Sequence, residues 1–428
     1  MPALKVRSVL TDPCGQLLRR APTAAPLVWL RRGEGLVGWG TAARLELHGP
    51  GRAARAIAWW QDLVAGANIA DEVADAASGL VCLGAFAFDD ASPEPSVLEV
   101  PAVIVGKRGG RSWITEIGTP ASGRWEPWRQ SGAVRGEIGV RPASAWPGIV
   151  QRAVDAIAAG FADKVVLARD EWAVAEHGFD IRNVAARLAS TYSTCWTYAV
   201  DRLVGATPEL LLRSAHGLVT SRVLAGTIRR TDDDAANLAR AASLARSSKD
   251  LEEHEFAVAS VAQSLAPYTE ELSIPEVPYV LHLPNVMHLA SDVTGVLRGP
   301  EVSETLAADR GVRGEPALAR PSSLEVAAAL HPTAAVCGTP TAAALRLLTA
   351  LEGADRGRYA GPVGWMGASG DGEWGIALRG AQLSSDRRRA RLFAGGGIVR
   401  ASVPEEELAE TEAKFAPMRA ALEVSAPA

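Results

Sequence analysis

The sequence predicts an α+β fold in which antiparallel β-sheets carry helices on their outer faces. Two observations lead there. Most strand-like segments are joined by turns or hairpins, and the regular strand–helix–strand crossovers of a parallel sheet are missing. The helical segments, marked by apolar residues three and four apart, stand between groups of strands. With 428 residues the chain can bury a large core. A single large domain and a split into roughly two or three average ones are both allowed by that length.

Residues 1 to about 140 read as β-rich with one helix. "PLVWLRRGEGLVGWG" and "ARLELHG" are short strands between glycine turns, and "GRAARAIAWWQDLVAGA" has helical spacing at Ile57, Trp60 and Val64. "DDASPEPS" and "TPASGRWEPWRQSG" have loop composition. From Pro147 the pattern changes. "PGIVQRAVDAIAAGF" places Val150, Val154, Ile157 and Phe161 on one helical face, with Pro147 near its start and Gly160 near its end.

The strand "KVVLARD" follows directly, then a helix around "IRNVAARLAS" and the strand "CWTYAV". "PELLLRSAHGLVTSRVLAGTIRR" reads as two strands turning at His216-Gly217, before an alanine-rich helical region from about Asp233 to Leu265. "MHLASDVTGVL" is a strand, and two more, "EWGIALRGAQL" and "RARLFAGGGIV", meet at the polar turn "SSDRRR". A closing helix runs from Pro404 to about Leu422.

With 44 basic and 49 acidic residues, the net charge of -5 offers no attraction to nucleic acid or an anionic membrane, so a small molecule is the expected partner. Cys14, Cys82, Cys195 and Cys337 form no C-x-x-C pair, which argues against a zinc site and a disulfide framework and for a reducing, cytoplasmic setting. The start "MPALKVRSVLTDPCGQ" has no apolar leader core, and the longest apolar run, near "LVCLGAFAF", is far short of a membrane span of about 18 residues.

Three features can carry chemistry. In "SSKDLEEHEF" Asp250 and Glu253 share a helical face, as do Glu407 and Glu410 in "PEEELAETEAK", with Lys414 one turn further on. Brought together, two such faces would suit Mg²⁺, which takes one or two carboxylates and leaves its other positions to water and an anionic substrate. Apart, each is what a solvated charged helix displays, and Lys249 with Glu253 is such a pair. The second feature is charge beside apolar strand: Lys164 before "VVLA", Glu209 before "LLL", Arg379 after "GIAL". Such a group faces solvent at a strand end, pairs with another charge, or lines a site. For Lys164 to act as a base it needs a neutral amine, a form held by only about one lysine in a thousand near pH 7. Burial or a nearby cation would favour that form.

The third feature is glycine. "LAGT" at Leu224–Thr227 and "AGGGIV" at Ala394–Val399 can press backbone N–H groups against a carboxylate, or mark a bulge, but neither has a phosphate-loop pattern. His331 and Thr333 in "LHPTAAVCGTP" are further pocket candidates, ranked below the carboxylates because no serine or cysteine pairs with the histidine.

Taken together, "KVVLARD", "GATPELLLR", "LAGTIRR", "KDLEEHE", "LHPTAAVCGTP", "YAGPVGW", "GDGEWGIALRGA", "RLFAGGGIV" and "EEELAETEAK" resemble the chorismate-utilising enzymes. That family includes isochorismate synthases, salicylate synthases and the large subunits of anthranilate and aminodeoxychorismate synthases. The resemblance spans roughly residues 147 to 420 and implies one α+β domain over 1–428, with two large antiparallel sheets that residues 1–140 complete. It implies Lys164 as the base that activates water and Glu209 as the acid that protonates the leaving hydroxyl. It also implies Glu253 and Glu410 as Mg²⁺ ligands, Asp250 and Glu407 as their acidic neighbours, and Gly226, Thr227, Ala335, Arg379, Gly395 and Lys414 as the residues holding chorismate.

Aminating members generally lack a lysine at the position of Lys164, so the resemblance points to water as nucleophile. The "LHPT" wording looks most like isochorismate synthases, with salicylate synthase, which goes on to eliminate pyruvate, as the alternative. Ala334, Cys337 and Gly396 depart from the commonest wording, where proline, glycine or serine, and alanine stand. No glutaminase segment is present, and the resemblance implies a monomer with no obligate protein partner.

Overall fold

The computed structural model describes residues 3–119, 125–299 and 320–425. Met1, Pro2 and residues 120–124 of the loop expected at Thr119–Gly132 lie outside them.

Two sheets, one of 13 strands and one of 10, form the body of the molecule. Every pairing among the described strands is antiparallel except that of Lys5–Thr11 with Asn68–Asp71, which is parallel. Strands alternate their side chains between faces, and here both faces are covered. In Leu27–Arg31, Leu27 and Trp29 join the core shared with Trp365 and Trp374 of the second sheet. Val28 and Leu30 join a separate apolar layer with Val184, Leu188, Phe415 and Met418 of the helices Ile181–Thr191 and Pro404–Leu422. The first 140 residues are stitched into both sheets: Leu27–Arg31 pairs with Trp196–Val200, and Val81–Ala85 with Pro362–Gly367.

Three sequence expectations change. The alanine-rich region is two helices, Asp234–Leu244 and Ser248–Leu265, because the Ser247 hydroxyl accepts from the Asp250 N–H and starts the second. Helix Trp146–Ala158 ends before Phe161, which is 68% exposed and so is not on its buried face. "EWGIALRGAQL" is not one strand but two, Gly372–Ile376 in the second sheet and Gly380–Leu383 in the first. The chain turns between them at Arg379, whose φ is 49°. The same passage occurs at Pro208-Glu209, between Leu203–Thr207 of the first sheet and Leu210–Ala215 of the second. Glu209 and Arg379 therefore both sit where the chain crosses from sheet to sheet. No helix among the described residues is long and apolar enough to cross a membrane.

Candidate active site

A cleft opens between the sheets where these crossings occur, with about 660 Å³ of empty space counting its open mouth. Its wall holds Glu209, Gly226, Thr227, Glu253, Ala335, Arg379, Gly395 and Lys414, eight of the residues singled out in the sequence.

Lys164 opens the strand Lys164–Ala175 and is wholly buried. Its Nζ donates to the backbone carbonyl of Glu253 at 3.3 Å and lies 3.3 Å from that residue's Oε1. It sits directly behind Gly397 of the cleft wall, where a β-carbon would fall 1.9 Å from Glu253 Oε1 and 3.1 Å from Lys164 Cε. Only glycine leaves room there for the lysine and carboxylate to approach the cleft.

Glu209 is buried, and burial pushes its carboxyl up to about 8 despite the opposing charges of Lys164, Lys414 and Arg379. Near neutral pH it is a carboxylic acid able to give up a proton. Arg379 is also buried, and it has no carboxylate partner among the described residues. Burial lowers its guanidinium from the ordinary value. Its Nη2 meets His288 Nε2 at 3.1 Å, and His288 Nδ1 meets Thr227 Oγ1 at 3.1 Å. Burial, with Arg379 and Lys414 nearby, holds His288 well below the ordinary histidine range, so its ring is neutral and accepts from Arg379 at Nε2.

The two acidic helix faces come together on the helices Ser248–Leu265 and Pro404–Leu422. Burial raises Asp250, and the charges of Glu253 and Glu410 add to the rise. Burial pushes Glu407 up to about 7, again with Glu410 adding to it. Three lysines hold three of the four carboxylates: Lys164 on Glu253, Lys249 on Glu407 at 2.7 Å, and Lys414 on Glu410. Lys414 also donates to the Gly395 carbonyl at 2.7 Å. Among the described residues no three His, Cys, Asp or Glu side chains are gathered closely enough to hold a metal ion. The donor set still fits a hard dication that needs only one or two carboxylates: the carboxylates repel one another, and Glu407 Oε2 is buried with no hydrogen-bond partner among the described residues.

His331 and Thr333 do not line the cleft, which corrects their place as pocket candidates. His331 Nε2–H donates to the Phe88 carbonyl at 3.0 Å, and burial lowers the ring to about 4, so it is a neutral packing group. The Thr333 carbonyl accepts from the N–H groups of Val336 and Cys337, closing the turn that carries Ala335 to the cleft. His288 is the group the sequence reading passed over. It is a polar residue inside the apolar run "VMHLA", the same signal that marked Lys164, Glu209 and Arg379.

Residues 141–420 match the family model described as chorismate binding enzyme. The chain belongs to the chorismate-binding enzymes. Curated relatives of this chorismate-binding enzyme include the isochorismate synthase DhbC of Bacillus subtilis, 37% identical over 64% of this chain and 67% of the relative. The isochorismate synthase EntC of Escherichia coli is 31% identical over 82% of this chain and 83% of its own length. Among solved structures, the menaquinone-specific isochorismate synthase MenF of Escherichia coli superposes with a TM-score of 0.76 at 22% identity, covering 98% of this chain and 95% of that one, a likeness of fold.

Proposed function

We propose that this chorismate-binding enzyme is an Mg²⁺-dependent isochorismate synthase, an isomerase converting chorismate to isochorismate. The observation that carries the reading is Glu209, a carboxyl group whose burial keeps it protonated near neutral pH in the wall of a cleft that also presents Arg379, a guanidinium with no carboxylate partner among the described residues. The names of the two curated relatives support the same reaction.

In that reaction water adds at C2 of the ring, the double bonds shift, and the C4 hydroxyl leaves as water, so the overall composition is unchanged. Lys164 takes the proton from the attacking water, and Glu209 delivers one to the departing hydroxyl. Arg379, oriented by His288, takes the enolpyruvyl carboxylate. Glu253 and Glu410 would hold Mg²⁺, with Asp250 and Glu407 beside it. When bound, the ion supplies positive charge for the ring carboxylate. Gly226, Thr227, Ala335, Gly395 and Lys414 shape the wall against which the ring lies. The substrate is thereby fixed by both carboxylates before the chemistry begins. The reading includes a monomer and a reducing, cytoplasmic setting, the setting alone being supported by four buried cysteines free of disulfides.

Chromatography of chorismate incubated with purified protein and Mg²⁺, with and without an ammonium salt, tests the proposal. Isochorismate as main product, independent of ammonium, is the expected result. Salicylate with pyruvate, an aminated product, or unchanged chorismate would each overturn it.

A further inference from the structure

The strand Lys164–Ala175 is fully paired along one edge but not along the other. One edge matches Arg389–Ile398 from Val165 to Val174. The opposite edge meets Gly338–Thr339 at Lys164 and Val165, and Val134–Ile138 only from Glu171 onward. Between them the backbone groups of Val166 and Ala168 face a place where no strand of the described residues runs.

Two side chains and a turn fill that place. Glu352 Oε1 accepts from the Ala168 N–H at 2.7 Å, and Arg356 Nη2 donates to the Val166 carbonyl at 2.6 Å. The Cys337 carbonyl accepts from the Val166 N–H at 2.8 Å. Arg356 Nε donates to Glu352 Oε2 at 3.0 Å, so the pair is locked to itself as well as to the strand. Arg356 Nη1 donates to the Val336 carbonyl at 2.9 Å, next to Ala335 of the cleft wall, and the guanidinium lies 4.5 Å over the Phe88 ring. Both side chains are about 5% exposed, and Arg356 itself borders the cleft. A charged pair is buried here although an apolar pair of similar volume would often serve stability as well or better. What an apolar pair cannot do is satisfy two strand groups and a turn carbonyl together.

We infer that Glu352 and Arg356 are positioning residues: they replace a missing strand and fix the start of Lys164–Ala175, and with it the Lys164 amine, relative to the turn that carries Ala335. The inference rests on the proposed role of Lys164 as base. A displacement of the amine lowers the rate of the chemical step while the carboxylate-binding groups stay in place.

The test is Arg356→Lys, which keeps the charge but cannot reach both carbonyls and Glu352 in the same geometry. It is assayed well below its melting temperature, with a native circular dichroism spectrum required. At least a tenfold fall in kcat with less than a threefold change in KM for chorismate is expected. Amide hydrogen exchange of peptides covering 164–170 should rise more than that of the core strand Pro362–Gly367. A folded variant with kcat within twofold of the parent, or unchanged exchange at 164–170, would overturn the inference. Should Arg356→Lys fail to fold, Glu352→Gln, which keeps an acceptor for the Ala168 N–H, takes its place, with at least a threefold fall in kcat at unchanged KM expected and an unchanged kcat overturning the inference. If the parent protein leaves chorismate unchanged, the functional reading fails, and the exchange measurement still decides the clamp.

Discussion

Lys164 and Glu209 are opposite cases of a charged residue beside an apolar run. The lysine keeps a carboxylate neighbour in Glu253, whereas Glu209 has cations near it but is buried deeply enough to stay protonated. Lys164→Ala should lower turnover by about 10²-fold or more while leaving the fold and Mg²⁺ binding intact, as read by the chromatographic assay, circular dichroism and metal titration. For Glu209 the sign follows from its raised value. Between the ordinary carboxyl range and about 8, the folded protein holds a proton that the unfolded chain has released. Stability therefore falls as pH rises through that window, and the acid form needed for protonating a leaving group is lost above it. The pH profile of kcat/KM should show an alkaline limb near 8, and Glu209→Gln should abolish that limb together with most of the rate. These residues were legible because a charge next to an apolar run has few places to go. His288 obeyed the same logic, yet its role depends on Arg379 and Thr227, which lie 91 and 61 residues away in sequence.

Among the elements, the helices Ser248–Leu265 and Pro404–Leu422 each bring two carboxylates to one acidic cluster because their acidic residues are three apart, and of the four Glu253 lines the cleft. Glu253→Gln should raise the Mg²⁺ concentration for half-maximal activity by about tenfold or more, in line with the loss of one ligand charge. An unchanged requirement in a Mg²⁺ titration would remove Glu253 from the metal site. The bulge at Gly226 matters to the same helix. Its φ is 78°, and a β-carbon there would fall 2.9 Å from Asp250 Cβ. Gly226→Ala should cost about 1 to 2 kcal/mol from backbone strain alone and push Asp250 aside. A lower melting temperature and a higher Mg²⁺ requirement would appear together.

The whole molecule depends on residues far from the family motifs. Leu27–Arg31 and Val81–Ala85 are interior strands of the two sheets, and Trp29 and Leu83 belong to the shared core. A fragment covering 141–428 should therefore aggregate and show no cooperative melting transition, since Trp196–Val200 and Pro362–Gly367 would become bare apolar edges. Size-exclusion chromatography and thermal circular dichroism of that fragment check this. The sequence by itself determined the fold class, most helices and strands, and the side chains with chemistry to offer, because periodicity and charge placement are local signals. It could not show that one strand-like run divides between two sheets at Arg379, which strands of each sheet the first 140 residues pair with, or that two side chains stand in for a strand beside Lys164. Those were decided only by tertiary structure, because each depends on which distant backbone groups remain unpaired once the sheets have formed.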